Sequence, residues 1–283
     1  MKRKLFCEIS PLTYYLSVKK ERLKRYVKDW LAGFRFAKSR SNPLPVMLYK
    51  HNSLIRRKLG NVSADLQENK AINLAIAAPL VTRVLIQPNE TFSFWGLVGC
   101  CTKAKGYKDG LTISCGKTSQ GIGGGLCQFT NLLHWMVLHS PLDLVELHHH
   151  NSLDLFPDYG RQVPFGLGTS ILYNYLDYRV KNNTVNTFQF IVYTSPTHLC
   201  GELRAADAIE HSYHIVDEDK HFIQIGEDYY RRNKVYRNKV DKKTGLTVEK
   251  LLIVQSNAKV LYDSEFIPRD FLRTISTPQE NLK

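Results

Sequence analysis

The glycine-rich run at residues 121–125 constrains the fold of this chain more than any other feature. Four of its five residues are glycine, which favours a turn over a regular helix or strand. From Gly125 to His139 apolar residues recur at three- and four-residue steps, which predicts a helix that Pro141 ends. The pattern therefore predicts a tight turn that places Cys127 at the start of a helix.

The same run carries no nucleotide-binding motif. No Gly-Lys-Ser/Thr follows it, as a phosphate-binding loop requires, and Leu126 occupies the third glycine position of the dinucleotide fingerprint. We therefore expect no cofactor at this turn.

Periodicity along the chain predicts an α+β fold. N-terminal helices come first, the glycine-rich turn leads into a central helix, and a mostly antiparallel β region follows. The helices that precede the turn are predicted from Ser10 to before Pro43 and from Asp65 to Thr82.

The later part of the chain is predicted to contain two β-hairpins. Their turns would be the polar pairs at residues 182–183 and 256–257, each flanked by strand-like segments. We divide the chain into a basic helical segment, a core and a β-rich C-terminal extension: residues 1–60, 61–204 and 205–283.

The positive charge of the chain is concentrated at its N-terminal end. Residues 1–60 contain 16 Lys and Arg against 3 Asp and Glu, whereas the remainder contains 23 of each sign. A uniformly basic protein is therefore excluded, and we expect no nucleic-acid partner. We expect the first helix to pack its apolar face on the protein's own body, with its lysines in water. The alternative is that residues 10–40 bind an anionic membrane surface.

No segment of the sequence is predicted to cross a membrane. The longest apolar run, residues 74–81, falls short of the roughly 20 residues that a spanning helix needs. Glu8 interrupts the apolar start of the chain and no small-x-small cleavage site follows, so we predict no signal peptide. We expect a cytoplasmic protein with free thiols, and a peripheral position at the inner membrane face as the alternative.

Cys127 is the candidate nucleophile of the chain. Unpaired N–H groups and the positive end of the helix dipole should lower the pKa of its thiol and favour the thiolate. The same N–H groups could hold a developing oxyanion, and Gln128 could donate a further hydrogen bond. Three glycines are predicted to line the substrate: Gly123, Gly124 and Gly125.

A histidine run downstream of Cys127 supplies candidate bases. His148 and His150 would share one face of a strand, with His149 on the other. Three carboxylates could orient the imidazole: Asp154, Asp158 and Asp177. Cysteine, histidine and carboxylate together are the nucleophile, base and orienting group of covalent acyl transfer.

Each of these residues also has a structural interpretation. A lone cysteine is often a small buried apolar residue, and glycines often serve only a tight helix–strand contact. Two histidines and a distant thiol form a weak zinc pattern because no close-spaced pair of ligands completes it, so we predict no metal.

Several motifs occur in an order that is typical of one family. They are Phe92-Ser-Phe-Trp-Gly-Leu-Val-Gly, Gly106-Tyr107-Lys-Asp, the glycine-rich run with Cys127, Glu146 through His150, and Asp177 through Thr184. Together they resemble the VanW family, which is named for an accessory protein of glycopeptide (vancomycin-type) resistance gene clusters. The resemblance covers about residues 65–200.

The resemblance implies a link to the bacterial cell wall. Some members of the family act as L,D-transpeptidases, which join peptidoglycan stem peptides through a cysteine acyl-enzyme. On that basis Cys127 would be the nucleophile, His150 the base and His148 a supporting residue.

The resemblance also implies a substrate-binding arginine. Arg161 lies where the family has a Gly-Arg-Asp-like turn, and it could bind a substrate carboxylate. Gln162 replaces the aspartate of that turn, so the carboxylate role would move to Asp177. Two hypotheses follow: a cysteine-dependent acyl transferase acting on peptidoglycan stem peptides or precursors, and a non-catalytic accessory or binding protein at the inner membrane face.

Overall fold

The computed structural model describes residues 5–57, 63–114, 117–149, 153–158 and 160–273. Within these residues the chain has the predicted α+β architecture. It forms four α-helices there: α1 (Pro11–Leu31), α2 (Ala64–Val81), α3 (Phe94–Val98) and α4 (Cys127–Leu138). Short 3-10 helices lie at Phe6–Glu8, Lys103–Lys105, Ser264–Phe266 and Arg269–Phe271.

The strands of the described residues form three sheets and a separate hairpin. The first sheet has the order β1 (Arg35–Phe36), β4 (Glu90–Ser93), β9 (Arg179–Lys181), β7 (Asp143–Glu146). The second has the order β2 (Val46–Leu54), β11 (His198–Ala205), β10 (Phe188–Thr194), β3 (Leu85–Ile86). The third has the order β15 (Leu272–Arg273), β12 (His211–Ile225), β13 (Asp228–Asp241), β14 (Thr247–Val260), β8 (Leu153–Asp154). The hairpin pairs β5 (Asp109–Ser114) with β6 (Lys117–Ile122).

The main core lies between α2, α4 and the second sheet. Leu74 of α2 and Phe129 of α4 are fully buried in it. A Cβ atom on Gly201 of β11 would overlap Met136 of α4, so this helix lies directly against the strand. The glycine-rich turn at the start of α4 is therefore held in a fixed position by the core.

The three predicted helices are present, but α1 ends at Leu31 rather than just before Pro43, because the chain then forms strand β1. α1 begins at Pro11 after Ser10, whose hydroxyl accepts a hydrogen bond from the Thr13 N–H (3.2 Å). α2 contains Pro79 in its last turn, and α4 begins at Cys127, directly after the glycine-rich turn. No helix in the described part of the chain is both long enough and apolar enough to span a membrane.

Both predicted hairpins are wrong. The chain does not fold back at Asn182, because β9 pairs with β4 and β7 in the first sheet whereas β10 belongs to the second. The Asn182 amide donates to the carbonyl of Ile86 (2.8 Å) and fixes this crossing between sheets. Ser256 and Asn257 lie inside the continuous strand β14, where Arg232 Nε donates to the Asn257 side chain (2.9 Å). The two asparagines, a residue type that often forms turns, here form side-chain hydrogen bonds with neighbouring strands.

α1 presents its charged face to the rest of the protein, which corrects the prediction that its apolar face packs there. Arg25 forms an ion pair with Glu146, and Asp29 accepts two hydrogen bonds from the Arg179 guanidinium (2.6 and 2.8 Å). None of the residues of α1 is buried. The predicted packing fails because the first sheet offers α1 charged partners rather than an apolar groove.

Candidate functional site

The last three glycines of the glycine-rich turn pack so closely against other parts of the protein that none of them could carry a side chain without a clash. Gly123 and Gly125 have positive φ angles of 77° and 89°, a conformation that favours glycine. A Cβ atom on Gly124 would overlap the backbone of Gly110, and one on Gly125 would overlap the side chain of Lys70. Close packing therefore accounts for the three glycines that were predicted to line a substrate.

Asn73 of α2 fixes the position of this turn. It is fully buried, and its amide donates to the carbonyls of Gly124 (2.9 Å) and Lys108 (3.0 Å). Its side-chain oxygen accepts from the Lys108 N–H (2.8 Å). The Gly124 carbonyl is thus engaged within the protein.

Cys127 is half-buried in the first turn of α4. Burial raises the pKa of its thiol, and the backbone N–H groups of Ile171 and of Cys127 itself oppose the rise without cancelling it. The prediction that this pKa is lowered is therefore wrong, because desolvation of the thiolate outweighs the effect of the backbone N–H groups. The thiol is protonated at neutral pH in this environment.

His148 forms a hydrogen bond with the carboxylate of Glu146. His148 Nε2 lies 3.0 Å from Glu146 Oε1, and the other oxygen of Glu146 pairs with Arg25 of α1. Burial favours the neutral form of Glu146, but hydrogen bonds from its neighbours hold its pKa below the usual value. His148 is therefore connected to the ion pairs that hold α1.

The predicted pairing of a histidine with Cys127 is not found within the described residues. No hydrogen bond joins His148 or His149 to the thiol there; His149 Nδ1 lies 2.5 Å from the carbonyl oxygen of Gly168. His150, which was predicted as the base, lies outside the described residues.

The Asp177 carboxylate, a candidate for orienting the imidazole, makes no hydrogen bond to a histidine among the described residues. Its carboxylate accepts hydrogen bonds from Ser93 Oγ (2.6 Å), the Trp95 N–H (3.0 Å) and Arg179 Nε (2.9 Å). These bonds tie β4 and β9 to the start of α3. In this arrangement Asp177 supports the first sheet.

Arg161 is exposed, and its guanidinium makes no hydrogen bond to the described residues. Its backbone N–H donates to Asp158 (3.0 Å). Asp158 and Asp154, the other two candidate carboxylates, both face Arg231, at 2.7 and 3.5 Å. The positive charge of Arg161 acts on Arg57, which follows β2.

A group of polar side chains that the sequence analysis missed lies beside the glycine-rich turn. Gln67 and Lys70 are one turn apart on α2, and only 8% and 7% of each is exposed. Among the described residues the buried Gln67 oxygen has no hydrogen-bond partner, and the Lys70 ammonium makes no hydrogen bond either. Burial, with the charges of Arg57 and Arg56, lowers the pKa of Lys70 to about 8. The available signal was a glutamine and a lysine on the same face of α2 as Leu74.

Arg57 and Gln128 join this group to the start of α4. Arg57 Nε (3.4 Å) and Gln128 Nε2 (2.8 Å) both donate to the carbonyl of Leu54 at the end of β2. Gln128, which was predicted to donate to a substrate, also donates to Ser53 Oγ (2.9 Å). The two terminal nitrogens of Arg57 make no hydrogen bond within the described residues.

His134 of α4 is a second buried polar residue that the sequence analysis missed. Neither of its ring nitrogens has a hydrogen-bond partner among the described residues, and burial lowers its pKa to about 3. The rings of His149 and Tyr178 lie 6.2 and 5.9 Å away. His134 is thus a neutral ring in an aromatic cluster. No group of three His, Cys, Asp or Glu residues in the described part of the chain could hold a metal ion.

The apolar side chains that α1 turns away from the body form a stripe, which we call the outer face of α1. Its members recur at helical spacing and are exposed: Leu12, Leu16, Leu23, Val27 and Trp30. Trp30 is 78% exposed. Exposed lysines lie on the same helix beside the stripe: Lys19, Lys20, Lys24 and Lys28.

Comparison with known proteins shows what the chain is similar to. A family model described as "VanW like protein" matches residues 69–204. The vancomycin B-type resistance protein VanW of Enterococcus faecalis is 32% identical over 219 residues, which are 77% of this chain and 79% of that protein. The uncharacterized protein YoaR of Bacillus subtilis is 31% identical over 118 residues, 41% of this chain and 36% of that protein. No solved structure gives a significant match.

Proposed function

Because the chain belongs to the VanW family, we propose that it is a vancomycin-resistance-associated accessory protein that works at an anionic membrane surface. It binds the inner leaflet through the outer face of α1. There its folded body holds a cell-wall precursor or a partner enzyme. The Enterococcus faecalis relative supports the link to resistance, and the orientation of α1 supports the link to the membrane.

The orientation of α1 is the observation that carries this proposal. Amphipathic helices of globular proteins normally bury their apolar face in the core. α1 instead is held through Arg25 and Asp29 and leaves its apolar stripe in water. Burial of one large apolar side chain is worth about 1.5–3 kcal/mol, and each lysine near an anionic leaflet adds about 1 kcal/mol. The stripe and its lysines therefore match apolar acyl chains beneath anionic headgroups.

Sedimentation of the full chain with lipid vesicles tests the docking step. We expect tighter binding to vesicles that contain an anionic phospholipid than to phosphatidylcholine alone, with affinity falling as salt is added. Leu23→Ser should weaken binding roughly tenfold. Leu246→Ser is the matched control, because Leu246 is as exposed as Leu23 (66% and 65%) but lies between β13 and β14. Failure of the wild-type protein to bind anionic vesicles at physiological salt would rule out docking.

Growth in vancomycin tests whether docking serves resistance. In cells whose vancomycin tolerance depends on this protein, Leu23→Ser should move the protein out of the membrane fraction and lower tolerance. Leu246→Ser should do neither. Unchanged tolerance after the protein has left the membrane, at a normal protein level, would contradict the proposal.

Acyl transfer at Cys127 is the second candidate function, and one contact supports it. The backbone N–H of Ile171 acts on the Cys127 thiol at the start of α4 and lowers its pKa, as a donor that favours an anion does. A histidine would take the thiol proton, and the thiolate would attack a carbonyl of a peptidoglycan stem peptide or precursor. The C–N bond would then break, and the amine would leave with that proton. Attack of a second amine or water on the thioester, with its proton passing through the histidine to sulfur, would restore the thiol.

Mass spectrometry of the protein after incubation with a stem peptide tests this second function. The expected result is an acyl adduct on Cys127 that is absent from Cys127→Ala and still forms in Cys100→Ala. Cys127→Ala should also lower vancomycin tolerance. If Cys127 stays unmodified and the Cys127→Ala variant keeps wild-type tolerance at a normal protein level, acyl transfer at Cys127 is ruled out. Only the non-catalytic function then remains.

A further inference from the structure

We propose that Gln67, Lys70 and Arg57 form a binding site for an oxyanion, either a carboxylate or a phosphate group, beside the glycine-rich turn. The site lies between α2, the end of β2 and the first turn of α4. It is separate from the outer face of α1, and it contains none of the residues predicted as catalytic.

Lys70 is a buried cation without a counterion among the described residues. Its hydrocarbon stem lies over Gly125, where no other side chain fits, so the lysine is fixed in place. The nearest acid on α2, Glu68, is already bound by Arg56 (2.5 and 2.6 Å). An unpaired charge in a buried position is strongly unfavourable, and a bound anion would remove this cost.

Arg57 supplies directional hydrogen bonds to the same ligand. One of its nitrogens is fixed on the Leu54 carbonyl (3.4 Å), which leaves the two terminal nitrogens to bind a carboxylate or phosphate. Asp158 attracts Arg57, but the Asp158 carboxylate is already bound by Arg231 (2.7 Å). Arg57 therefore has hydrogen-bonding capacity that the described residues do not use.

Gln67 adds a buried amide to the two cations. It precedes Lys70 by one helical turn, so their side chains are neighbours on α2. Its buried side-chain oxygen has no partner among the described residues, which is unfavourable, and rotation of the amide by half a turn would place the NH₂ donor there instead. Two buried, unpartnered polar side chains beside a half-buried arginine are what an oxyanion requires.

Titration calorimetry on the full chain at constant ionic strength tests this site. The two probes are inorganic phosphate and an N-acetylated dipeptide with a free C-terminal carboxylate, and the C-terminal amide of that dipeptide is the control. At least one anion should bind with one-to-one stoichiometry, and the amide should not bind. Tighter binding of the dipeptide identifies a carboxylate ligand, and tighter binding of phosphate identifies a phosphate ligand.

Matched variants connect this binding to the proposed residues. Lys70→Met keeps the stem over the turn but removes the charge, and it should weaken binding roughly tenfold or more. Arg57→Gln should weaken binding as well, so that the result does not depend on the folding of one variant. Lys38→Met removes an exposed charge and should bind like the wild-type protein. No binding of either anion to the wild-type protein, or equal binding by Lys70→Met, would overturn the proposal.

Discussion

At the scale of single residues, Lys70 makes stability depend on pH in a defined window. Its pKa is about 8 in the folded chain, below the ordinary 10.5, mainly because burial disfavours the ammonium form. Between these values the unfolded chain binds more protons, so the free energy of unfolding should rise with pH from about 8 to 10.5. Lys70→Met should remove this rise and, at pH 7 without added anions, increase the free energy of unfolding by about 3 kcal/mol.

Urea unfolding of both proteins at pH 7 and pH 10 measures this effect. Lys38→Met serves as the control, because it removes an exposed lysine and should keep the wild-type dependence on pH. If Lys70→Met were less stable than the wild-type protein at pH 7, the buried ammonium would have a stabilising partner, and the argument from an unpaired charge would fail.

Gly124 tests the close packing of the glycine-rich turn. Gly124→Ala should lower the free energy of unfolding by about 2 kcal/mol, because the new methyl group would overlap the backbone of Gly110. Gly168→Ala is the matched control, since a methyl group there meets no atom. Equal stability of the two variants in urea unfolding would show that the turn can move away from β5.

Cys127 should react slowly with alkylating agents in the folded protein. Burial raises the pKa of its thiol, so little thiolate is present at neutral pH. Mass spectrometry of iodoacetamide labelling should show slower modification of Cys127 in the folded chain than in the urea-unfolded chain at pH 7. Faster modification in the folded chain would indicate an activated thiolate and would favour the acyl-transfer function.

At the scale of elements, two ion pairs hold α1 in its orientation. Asp29→Asn removes the carboxylate that Arg179 binds, and the loss should cost roughly 2–3 kcal/mol. Trypsin should then cleave α1 at least about tenfold faster while the body remains intact. Glu21→Gln is the control on the same helix, because the Glu21–Lys24 pair is exposed and should matter little. Equal cleavage rates would mean that other contacts hold α1.

The elements that the sequence predicted correctly are those with strong local signals. Helical periodicity, the Ser10 cap and the glycine-rich turn all act within a few residues, so the helices could be located from sequence alone. The β-strand pairing around Asn182 and Asn257 could not be predicted from local sequence, because the side chains of these residues form hydrogen bonds with residues distant in the chain. Periodicity likewise showed that α1 has an apolar face, but it cannot show what that face contacts.

The candidate site was predictable only in part. The turn that places Cys127 at a helix start followed from local sequence. The carboxylate beside His148 could have been found too, because Glu146 lies two residues earlier on the same face of an extended segment. The raised pKa of the Cys127 thiol could not have been predicted, because burial is set by tertiary packing that the local sequence does not show.

At the scale of the whole molecule, cationic side chains that could bind an anion lie in two different environments. The lysines of α1 are exposed beside an apolar stripe, where salt and lipid charge control any binding. Lys70 and Arg57 lie beside the glycine-rich turn, where an anion has to leave the solvent and enter the protein in order to bind them. We therefore propose two anionic partners for the chain, a membrane surface outside and a small oxyanion within.

The fluorescence of Trp30 tests whether the outer face of α1 enters the membrane interface. Trp30 is far more exposed than Trp95 or Trp135, so its emission should shift to shorter wavelength when vesicles with anionic phospholipid are added. Quenchers attached near the headgroups should reduce that emission, and Trp30→Phe should abolish both effects. Unchanged Trp30 emission in the presence of bound vesicles would show that another surface contacts the lipid, and this would contradict the account.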